Sequence, residues 1–483
     1  MAGNGLKSNK IFKPNTLTTN IYGFGSSAIA AIALMLLVIG TIILMYLFLG
    51  LSWERSASRE LFAATILYVF IFSFLVVSPF PAVISKYISE LIYEEAFEDI
   101  LPCYHVGLIF SVIPGAVLGI PFCLREYFVG KAGLHYVFAG FGGYMSLILV
   151  LYTLQYLLIY RGYFKIALFF ICGMLLTFVL SLVLVYLCRW WEINFAMLVS
   201  LDAGLLLILA LEMSLFKSYF RKNSGRYKRV LQYFCKYWKL IFCNFLCVLG
   251  LYIHNFVFWT TDMRMVVVKS FVMVQPYDMA SCLAMLTNIS AIVIFVLKVK
   301  TYFYKCRRTY IEIGISGWEI DIENVKSRMF LQLWEELYNM VRIQFIASVA
   351  VFFIALGILP MVGAGGLVMR IYPCLAAGYF ILFIMCSAIM LLVCFNDLTG
   401  ALLTALTFCL VTFLGSLVST HLPEAWYGLG VVVGAFAGWC VGHFQAHQAS
   451  QGGGDTGLTF DSGKRNDSVG NLWESGRKRG GEA

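Results

Sequence analysis

The sequence predicts an all-α polytopic membrane protein with about 12 transmembrane helices in two six-helix lobes and both termini in the cytoplasm. Hydrophobic residues make up 61% of the 483 positions and charged residues only 13%, which excludes a soluble globular protein. Apolar segments of membrane length recur along the chain. A basic stretch, Lys217–Lys239, holds eight Lys and Arg and no acid, and about six of these segments lie on either side of it.

The predicted spans are apolar runs of about 20 residues, each bounded by charged or turn residues. The last four are separated by short polar breaks such as Asn396-Asp397. The spans in the first half are 26–50, 61–83, 104–122, 135–159, 163–187 and 194–216, and those in the second half are 240–260, 276–298, 343–368, 372–395, 398–420 and 424–445.

The distribution of positive charge predicts the topology. If the N-terminus lies inside, 27 of the 35 Lys and Arg fall on the cytoplasmic side and 8 on the outer side. Cytoplasmic loops of membrane proteins carry such an excess. Both termini are therefore predicted to be cytoplasmic, and the loops after even-numbered spans face the cytoplasm.

The basic stretch divides the chain into predicted parts. Residues 1–216 form the first lobe, and 217–239 form a cytoplasmic linker that we expect to be an interfacial helix from Arg226 to Lys239. Residues 240–446 form the second lobe. The second lobe contains a cytoplasmic segment, 299–342, whose later part has the spacing of an amphipathic helix lying in the interface. The glycine- and serine-rich remainder, 447–483, reads as a disordered cytoplasmic tail.

Several function classes are excluded. The chain has no GxxxxGK[ST] phosphate loop, no HExxH and no GxSxG, and too little sequence remains between the spans for a catalytic domain. The six His are scattered, and the 14 Cys include no CxxC pair. We therefore expect a transporter rather than an enzyme, with no cofactor, no metal and no disulfides.

Ionisable residues inside the membrane are costly, so they are candidates for a substrate cavity. Asp202 and Glu212 lie in span six, ten residues apart. This spacing places them on different sides of a helix and about 15 Å apart in height, so they are not a paired-carboxylate site. Either could bind a cation or sugar hydroxyls, but Glu212 could also only snorkel to the inner surface.

Span seven carries a second group of polar residues, and span eight begins with an acidic residue. His254 and Asn255 are followed by Trp259, an arrangement that suits proton relay or stacking on a sugar ring, or simply a hydrogen bond between helices. Asp278 near the outer surface is a further cavity candidate, and an N-terminal helix cap would equally explain it.

The segment after span two predicts a helical extension with an acidic face. Lys86–Glu98 has helical character, and Pro79 and Pro81 should kink the helix that precedes it. The acidic face is a candidate docking surface for a partner, although it could be only a solvated face. The docking candidates are Glu94, Glu95 and Glu98.

Two regions resemble one known family. The first is SPFPAVISKYISELIYEEAFEDILP, at 78–102. The second comprises LYIHNFVFW at 251–259, VQPYDMASCLAML at 274–286 and FVLKVKTYFYKCRRTYIEI at 295–313. Both resemble the PelG family, the polytopic component of Pel exopolysaccharide export, which is placed with the polysaccharide-transporter and multidrug-exporter (MATE/MOP flippase) superfamily. The resemblance covers essentially the whole membrane region.

The match to the family pattern is uneven. Lys86 and Glu90 stand where Arg and Asp are expected, His254-Asn255 replaces an Asp-Lys pair, and Lys300 replaces Glu. These departures indicate a divergent branch. The positions that fit are Pro79, Tyr87, Ile100, Pro102, Trp259, Tyr277, Asp278, Ala280 and Phe303.

The resemblance implies two pseudo-symmetric six-helix lobes around a central cavity, with alternating access or a conduit for a growing chain. It implies export of a Pel-like, amino-sugar-rich exopolysaccharide across the cytoplasmic (inner) membrane, for biofilm matrix production. The implied partners are a cytosolic glycosyltransferase (PelF-like) and membrane subunits that sense cyclic-di-GMP (PelD/PelE-like).

Two other functions stay open at this point. A cation-coupled exporter of small molecules, or a flippase for lipid-linked oligosaccharides, would need an ion-binding carboxylate, and Asp202 is the best candidate. A membrane-embedded glycan transferase would need a large outer loop for its catalytic base, and the predicted outer loops are short.

Overall fold

The computed structural model describes residues 37–45, 48–49, 56–94, 96–159, 163–187, 192–288, 319–358, 360, 365–394 and 396–451. These residues are predominantly helical, as the apolar composition predicts, and they also contain one two-stranded hairpin. Glu95, Lys300, Phe303 and residues 452–483 of the predicted disordered tail lie outside them. The first five residues of that tail, 447–451, are helical, so the prediction of disorder is wrong there.

Seven helices follow a helical segment at 37–45 in the first half of the described chain. They are α1 (Ser56–Val77), α2 (Pro81–Tyr93), α3 (Ile100–Phe128), α4 (Leu134–Ile159), α5 (Tyr163–Tyr186), α6 (Ile193–Tyr219) and α7 (Tyr227–Lys236).

The second half begins with α8 (Trp238–Phe258), which leads into strands β1 (Met265–Val267) and β2 (Phe271–Met273). The remaining helices are α9 (Gln275–Thr287), α10 (Glu319–Ile358), α11 (Leu367–Cys394), α12 (Leu398–Ser419) and α13 (Leu429–Gln451).

Ten helices of the described residues are long and apolar enough to cross a membrane. They correspond to ten of the predicted spans. The other two, 26–50 and 276–298, extend beyond the described residues, and their described parts contain helix at 37–45 and 275–287. The fold class is confirmed as an all-α polytopic membrane protein, whereas the orientation of the termini stays a prediction.

The predicted helical extension of span two is interrupted. The helix is interrupted at 78–80, between α1 and α2. A short 3-10 helix, Phe97–Asp99, follows α2. Pro79 and Pro81 cause the break, because proline has no N–H to donate and its ring clashes with the preceding turn. Pro81 instead occupies the first position of α2, where a missing N–H costs nothing. Span two therefore ends at Val77, before its predicted end at 83.

The predicted amphipathic helix in the long cytoplasmic segment is not a separate element. It forms part of α10, a single helix of 40 residues that continues through predicted span nine and ends at Ile358. Its sequence contains no proline, and its only glycine is Gly357 near the end, so nothing interrupts the helix where a turn into the membrane was expected.

Buried apolar side chains form two main clusters. The first comprises residues from 38 to 240, and the second comprises residues from 243 to 446 together with Ile71 of α1. This arrangement is compatible with two lobes, whose boundaries at 216 and 240 stay predictions.

The helix predicted from Arg226 to Lys239 in the basic stretch is confirmed over Tyr227–Lys236. Trp238 and Lys239 belong instead to α8, so the predicted end is wrong. One face buries Val230 and Phe234, four residues apart, while Lys228 and Lys236 are exposed. Such a distribution is typical of a helix that lies on a surface. Its placement at a membrane interface stays a prediction.

The hairpin of β1 and β2 was not anticipated, and it packs across the molecule. The strands are antiparallel, with Met265 opposite Met273. Val267 and Phe271 are buried against Ala64 of α1, and Phe122 of α3 packs beside them. The hairpin thus connects the second half of the chain to helices of the first. We call this the hairpin end of the molecule and the opposite end, where α7 lies, the linker end.

Candidate functional site

A buried carboxylate, Asp278, connects α8 to α9. Asn255 and Trp259 lie one turn apart near the end of α8 and therefore face the same side. Asn255 Nδ2 donates to Asp278 Oδ1 at 2.7 Å, and Trp259 Nε1 lies 3.1 Å from both carboxylate oxygens. The backbone N–H of Val274, the residue before α9, donates to Asp278 Oδ2 at 3.0 Å. Asp278 therefore accepts a backbone N–H at the start of α9, as an N-terminal cap would. It does so from the first turn of the helix and not from the N-cap position.

His254 forms a second set of hydrogen bonds beside Asp278. Its side chain is fully buried. The ring Nδ1 lies 2.8 Å from the Tyr277 hydroxyl, and Nε2 lies 3.3 Å from the Tyr379 hydroxyl of α11. Tyr379 also shares a hydrogen bond of 2.8 Å with Ser281. A neutral imidazole has one donor and one acceptor nitrogen, so both ring nitrogens can bond to these hydroxyls. The bonds connect three helices, α8, α9 and α11. The hydroxyl–imidazole–hydroxyl order is also that of a proton relay.

The Asp278 cluster, defined as His254, Asn255, Trp259, Tyr277 and Asp278, lies against the first half of the molecule. Trp259 stacks on Tyr68 of α1, with ring centroids 4.9 Å apart and planes within 3°. The Tyr68 hydroxyl donates to the carbonyl of Val272 at 2.8 Å and accepts its N–H at 3.2 Å. The polar cluster and the contact between the halves are therefore built from the same residues.

Asp202 and Glu212 on α6 do not belong to this cluster. Asp202 is half-buried against α4, where Gly142 and Gly143 leave room for its carboxylate. Its Oδ1 has no hydrogen-bond partner among the described residues. Glu212 is fully buried, and neither of its oxygens has a partner in the described part of the chain. The alternative that Glu212 snorkels to the surface is therefore wrong.

The acidic docking candidates face the basic linker. Arg229 of α7 contacts Glu94 and donates to Asp99 at 3.0 Å, and Lys222 pairs with Glu98 at 3.2 Å. The hydrogen bond and the negative charge of Glu94 raise the pKa of Arg229 above its usual range. Two of the three candidates thus have partners within the chain, and a docking role for them stays a prediction.

The family assignment follows from comparison with known families. The model of the PelG family, described as "Putative exopolysaccharide Exporter (EPS-E)", matches residues 1–451. The chain belongs to the PelG family. No curated protein sequence matches it at a significant level.

Solved MATE transporters have folds similar to that of this PelG-family chain. An outward-facing multidrug resistance MATE family transporter of the MOP superfamily gives a TM-score of 0.61 at 14% identity, covering 91% of this chain and 98% of that chain. An inward-facing multidrug resistance MATE family transporter of the MOP superfamily gives a TM-score of 0.55 at 12% identity, covering 92% of this chain and 98% of that chain. A MATE in the straight conformation gives 0.56 at 13%, covering 89% and 99%. The fold and the family are those of a multi-pass membrane transporter.

The residues that the sequence analysis places at family-motif positions lie at both ends of the molecule. At the linker end, Lys86 Nζ donates to Asn396 Oδ1 at 2.7 Å and lies 4.2 Å from the centre of the Tyr237 ring. Burial lowers the pKa of Lys86. The neighbouring Tyr87 is buried, with its ring 4.6 Å from that of Tyr233 on α7. At the hairpin end, Tyr277 and Asp278 belong to the Asp278 cluster. Pro79 lies in the break between α1 and α2, and Glu90 lies on α2.

Sequence reasoning missed three buried polar residues. Asp99 pairs with Arg229, Tyr379 bonds to His254, and Glu126 of α3 accepts a hydrogen bond from Ser270 beside the hairpin. Predicted span three ended at 122, so Glu126 was assigned to an outer loop. A longer window would have shown that helical residues continue to Phe128.

Proposed function

We propose that this PelG-family protein moves an exopolysaccharide across the cytoplasmic membrane without hydrolysing nucleotide itself. The observation that carries the proposal is the match of the exporter family to 451 of the 483 residues. The MATE-like fold supports it, because that architecture belongs to transporters. The finer statements below concern the cargo, the partners and the mechanism.

The contacts between the two halves suggest how access alternates. At the hairpin end, the Tyr68–Trp259 stack and the Ser270–Glu126 hydrogen bond join the halves. At the linker end, Lys86 bonds to Asn396. In alternating access, two halves rock around a central path, so that one end opens while the other is closed. Opening toward either side would break the contacts at that end and leave those at the other end in place.

The cargo we propose is a Pel-like polymer rich in amino sugars, secreted for the biofilm matrix. The membership of this chain in the PelG family supports this choice of cargo. We further propose that a PelF-like cytosolic glycosyltransferase and PelD/PelE-like subunits that sense cyclic-di-GMP work with it. The exposed basic residues of α7, such as Lys228 and Lys236, offer a charged surface for such a partner or for anionic headgroups.

Deletion of the gene tests the proposal. Secreted polysaccharide should be lost in the deletion strain and restored by the wild-type gene. An Asp278→Asn variant that reaches the membrane at normal levels should restore it only in part, because its new amide N–H would face donors that now bind a carboxylate. Asp262→Asn, at an exposed position, is the matched control. Unchanged secretion in the deletion strain would exclude polymer export.

A cation-coupled exporter of small molecules, or a flippase for lipid-linked oligosaccharides, is the alternative. The buried carboxylates of Asp202 and Glu212 favour it, because neither finds a hydrogen-bond partner for its buried oxygens among the described residues. In the same deletion strain, increased sensitivity to toxic cations with normal polymer secretion would support this alternative. Asp202→Asn should then reproduce the sensitivity of the deletion.

A further inference from the structure

A cavity of about 160 Å³ lies beneath the hairpin, between α1, α3 and α4. One water molecule occupies about 30 Å³ in the liquid, so the cavity has room for a small organic group. Strand β2 forms part of its wall through Phe271. Most of the wall is apolar, and the aromatic residues that line it are Tyr68, Phe72, Phe122, Tyr136, Phe141, Tyr144 and Phe271.

One carboxylate lines this cavity. The Glu126 side chain is only 3% exposed. Its Oε2 accepts a hydrogen bond from the Ser270 hydroxyl, while its Oε1 has no partner among the described residues. The hydroxyl of Tyr144, a residue of α4 that also lines the cavity, is likewise buried without a partner in the described part of the chain. The cavity therefore combines an unused carboxylate oxygen, an unused hydroxyl and several aromatic faces.

These groups select the charge of a ligand. A buried carboxylate repels anions and is stabilised by a cation, and the described residues that line the cavity include no Lys or Arg. Aromatic faces attract ammonium groups through their quadrupoles. Glu126 is the one carboxylate among the residues that line the cavity, and the described residues contain no group of three or more His, Cys, Asp or Glu that could hold a metal ion.

We propose that this cavity binds a protonated amine on a small organic body. The ammonium group donates to Glu126 Oε1, and the carbon skeleton packs against the aromatic walls. The amine can come from two sources, an amino-sugar unit of an exported polymer or a free alkylamine. The binding site does not depend on which cargo the protein exports, so its test is independent of the secretion experiment.

Binding to the purified full-length protein in nanodiscs tests the proposal by calorimetry, at a pH at which the amines are protonated. The probes form two pairs that differ only in charge: glucosamine with glucose, and cyclohexylamine with cyclohexanol. At least one amine should bind while its neutral partner does not. Binding of glucosamine alone would assign the site to an amino sugar, and binding of cyclohexylamine alone to an apolar amine. Binding of both amines would show that the site recognises the positive charge and not the body that carries it.

Two variants locate the binding. Glu126→Gln should weaken amine binding by about tenfold or more, the size of one charge-assisted hydrogen bond. Glu424→Gln, at a carboxylate paired with Arg370 away from the cavity, should leave it unchanged. Gly140 lines the cavity, and a Cβ there would have Thr65 Cγ2 as its nearest atom, at 3.8 Å. Gly140→Leu should therefore fill the cavity and abolish binding, whereas Gly140→Ala should retain it.

Gly140→Leu leaves Glu126 and Ser270 intact, so it decides the question if Glu126→Gln does not fold. The proposal is overturned if neither amine binds the wild-type protein, if the neutral partners bind equally well, or if the folded Glu126→Gln and Gly140→Leu variants bind as the wild type does.

Discussion

Asp278 shows how a single side chain can connect two elements. Its carboxylate accepts from the Asn255 amide, the Trp259 indole and the backbone of Val274. These donors come from α8 and from the residue that precedes α9. A carboxylate suits this position because it offers several lone pairs and no donor.

Replacement of Asp278 by Ala should destabilise the protein. The change leaves three buried donors without an acceptor, and we expect a loss of about 3 kcal/mol in the free energy of unfolding. Thermal unfolding of the purified protein in detergent measures it. Asp262→Ala, at an exposed position, should change stability by less than about 0.5 kcal/mol. Equal stability of the two variants would contradict the role given to Asp278.

The hairpin turn contains a residue whose backbone suits glycine. Lys269 is exposed and has a φ of 60°, in the left-handed region that L-residues disfavour by about 1 to 2 kcal/mol. Lys269→Gly should therefore stabilise the protein by about 0.5 to 1 kcal/mol, after the entropy that glycine loses on folding. Lys131→Gly, at φ 54°, should have the same sign.

Helical positions supply the contrast to these two turn residues. Lys217→Gly in the last turn of α6 should destabilise by about 1 kcal/mol. The same thermal measurement compares the three variants. A loss of stability in Lys269→Gly would contradict the strain inferred at the turn.

The polar residues of the Asp278 cluster could be predicted one by one, but not as a group. His254, Asn255 and Trp259 stand out in an apolar segment, and their spacing on one helix could be read directly. Their contact with Asp278 depends on the hairpin, whose strands are only three residues each and carry no distinctive pattern. Tyr379 gave no signal, because a tyrosine in an apolar helix is common and its partner is 125 positions away.

Helix α13 carries a row of glycines at intervals of four residues: Gly430, Gly434, Gly438 and Gly442. Residues four apart share one face of a helix. Side chains and backbone of α11 and α12 occupy the space that a Cβ would need on this face. Small residues let membrane helices approach closely, so this row explains how α13 packs against both neighbours.

Gly434→Val should force α12 and α13 apart. A Cβ at Gly434 would lie 2.8 Å from the backbone nitrogen of Thr412, which cannot move aside as a side chain could. We expect a loss of about 1 to 3 kcal/mol in stability, measured by thermal unfolding. Gly357→Val on α10, where a Cβ meets nothing within 4 Å, should be nearly neutral. A neutral Gly434→Val would show that the helices tolerate a wider separation.

At the scale of elements, the sequence predicts the long helices well, but it predicts poorly where a helix is interrupted and where it continues. Apolar length identifies the ten long helices, because burying backbone in a membrane requires it. The division of span two at Pro79 and Pro81 and the continuity of α10 depend on local backbone chemistry, which hydropathy does not contain. The glycine row of α13 is a small-xxx-small pattern in the sequence, which marks a close helix contact but does not name the partner helix.

For the molecule as a whole, α7 fastens the linker to the first half. Asp99 is fully buried, and Arg229 donates to its Oδ2 at 3.0 Å. Arg226 Nε lies 3.1 Å from Oδ1 without hydrogen-bond alignment. A buried carboxylate that loses its cation is left uncompensated, so Arg229 holds this end of the linker.

Arg229→Ala should cost about 2 kcal/mol of stability, because it leaves a buried charge with one poorly aligned partner. Lys222→Ala removes an ion pair whose side chains are 82% and 51% exposed, and should cost about 1 kcal/mol or less. Unfolding of both variants at low and high salt measures the difference, which should persist at high salt because Asp99 is shielded from solvent. Equal effects would contradict the role of Asp99.

The stacking of Trp259 on Tyr68 also allows the contact between the halves to be followed by tryptophan fluorescence. The indole is 8% exposed and lies against a phenol ring from the other half of the chain. If the halves separate at this end, water reaches the indole and its fluorescence emission moves to longer wavelength. The chain has ten Trp, so the difference spectrum between the wild type and Trp259→Phe isolates this signal. The protein thus carries its own reporter of the opening proposed for transport.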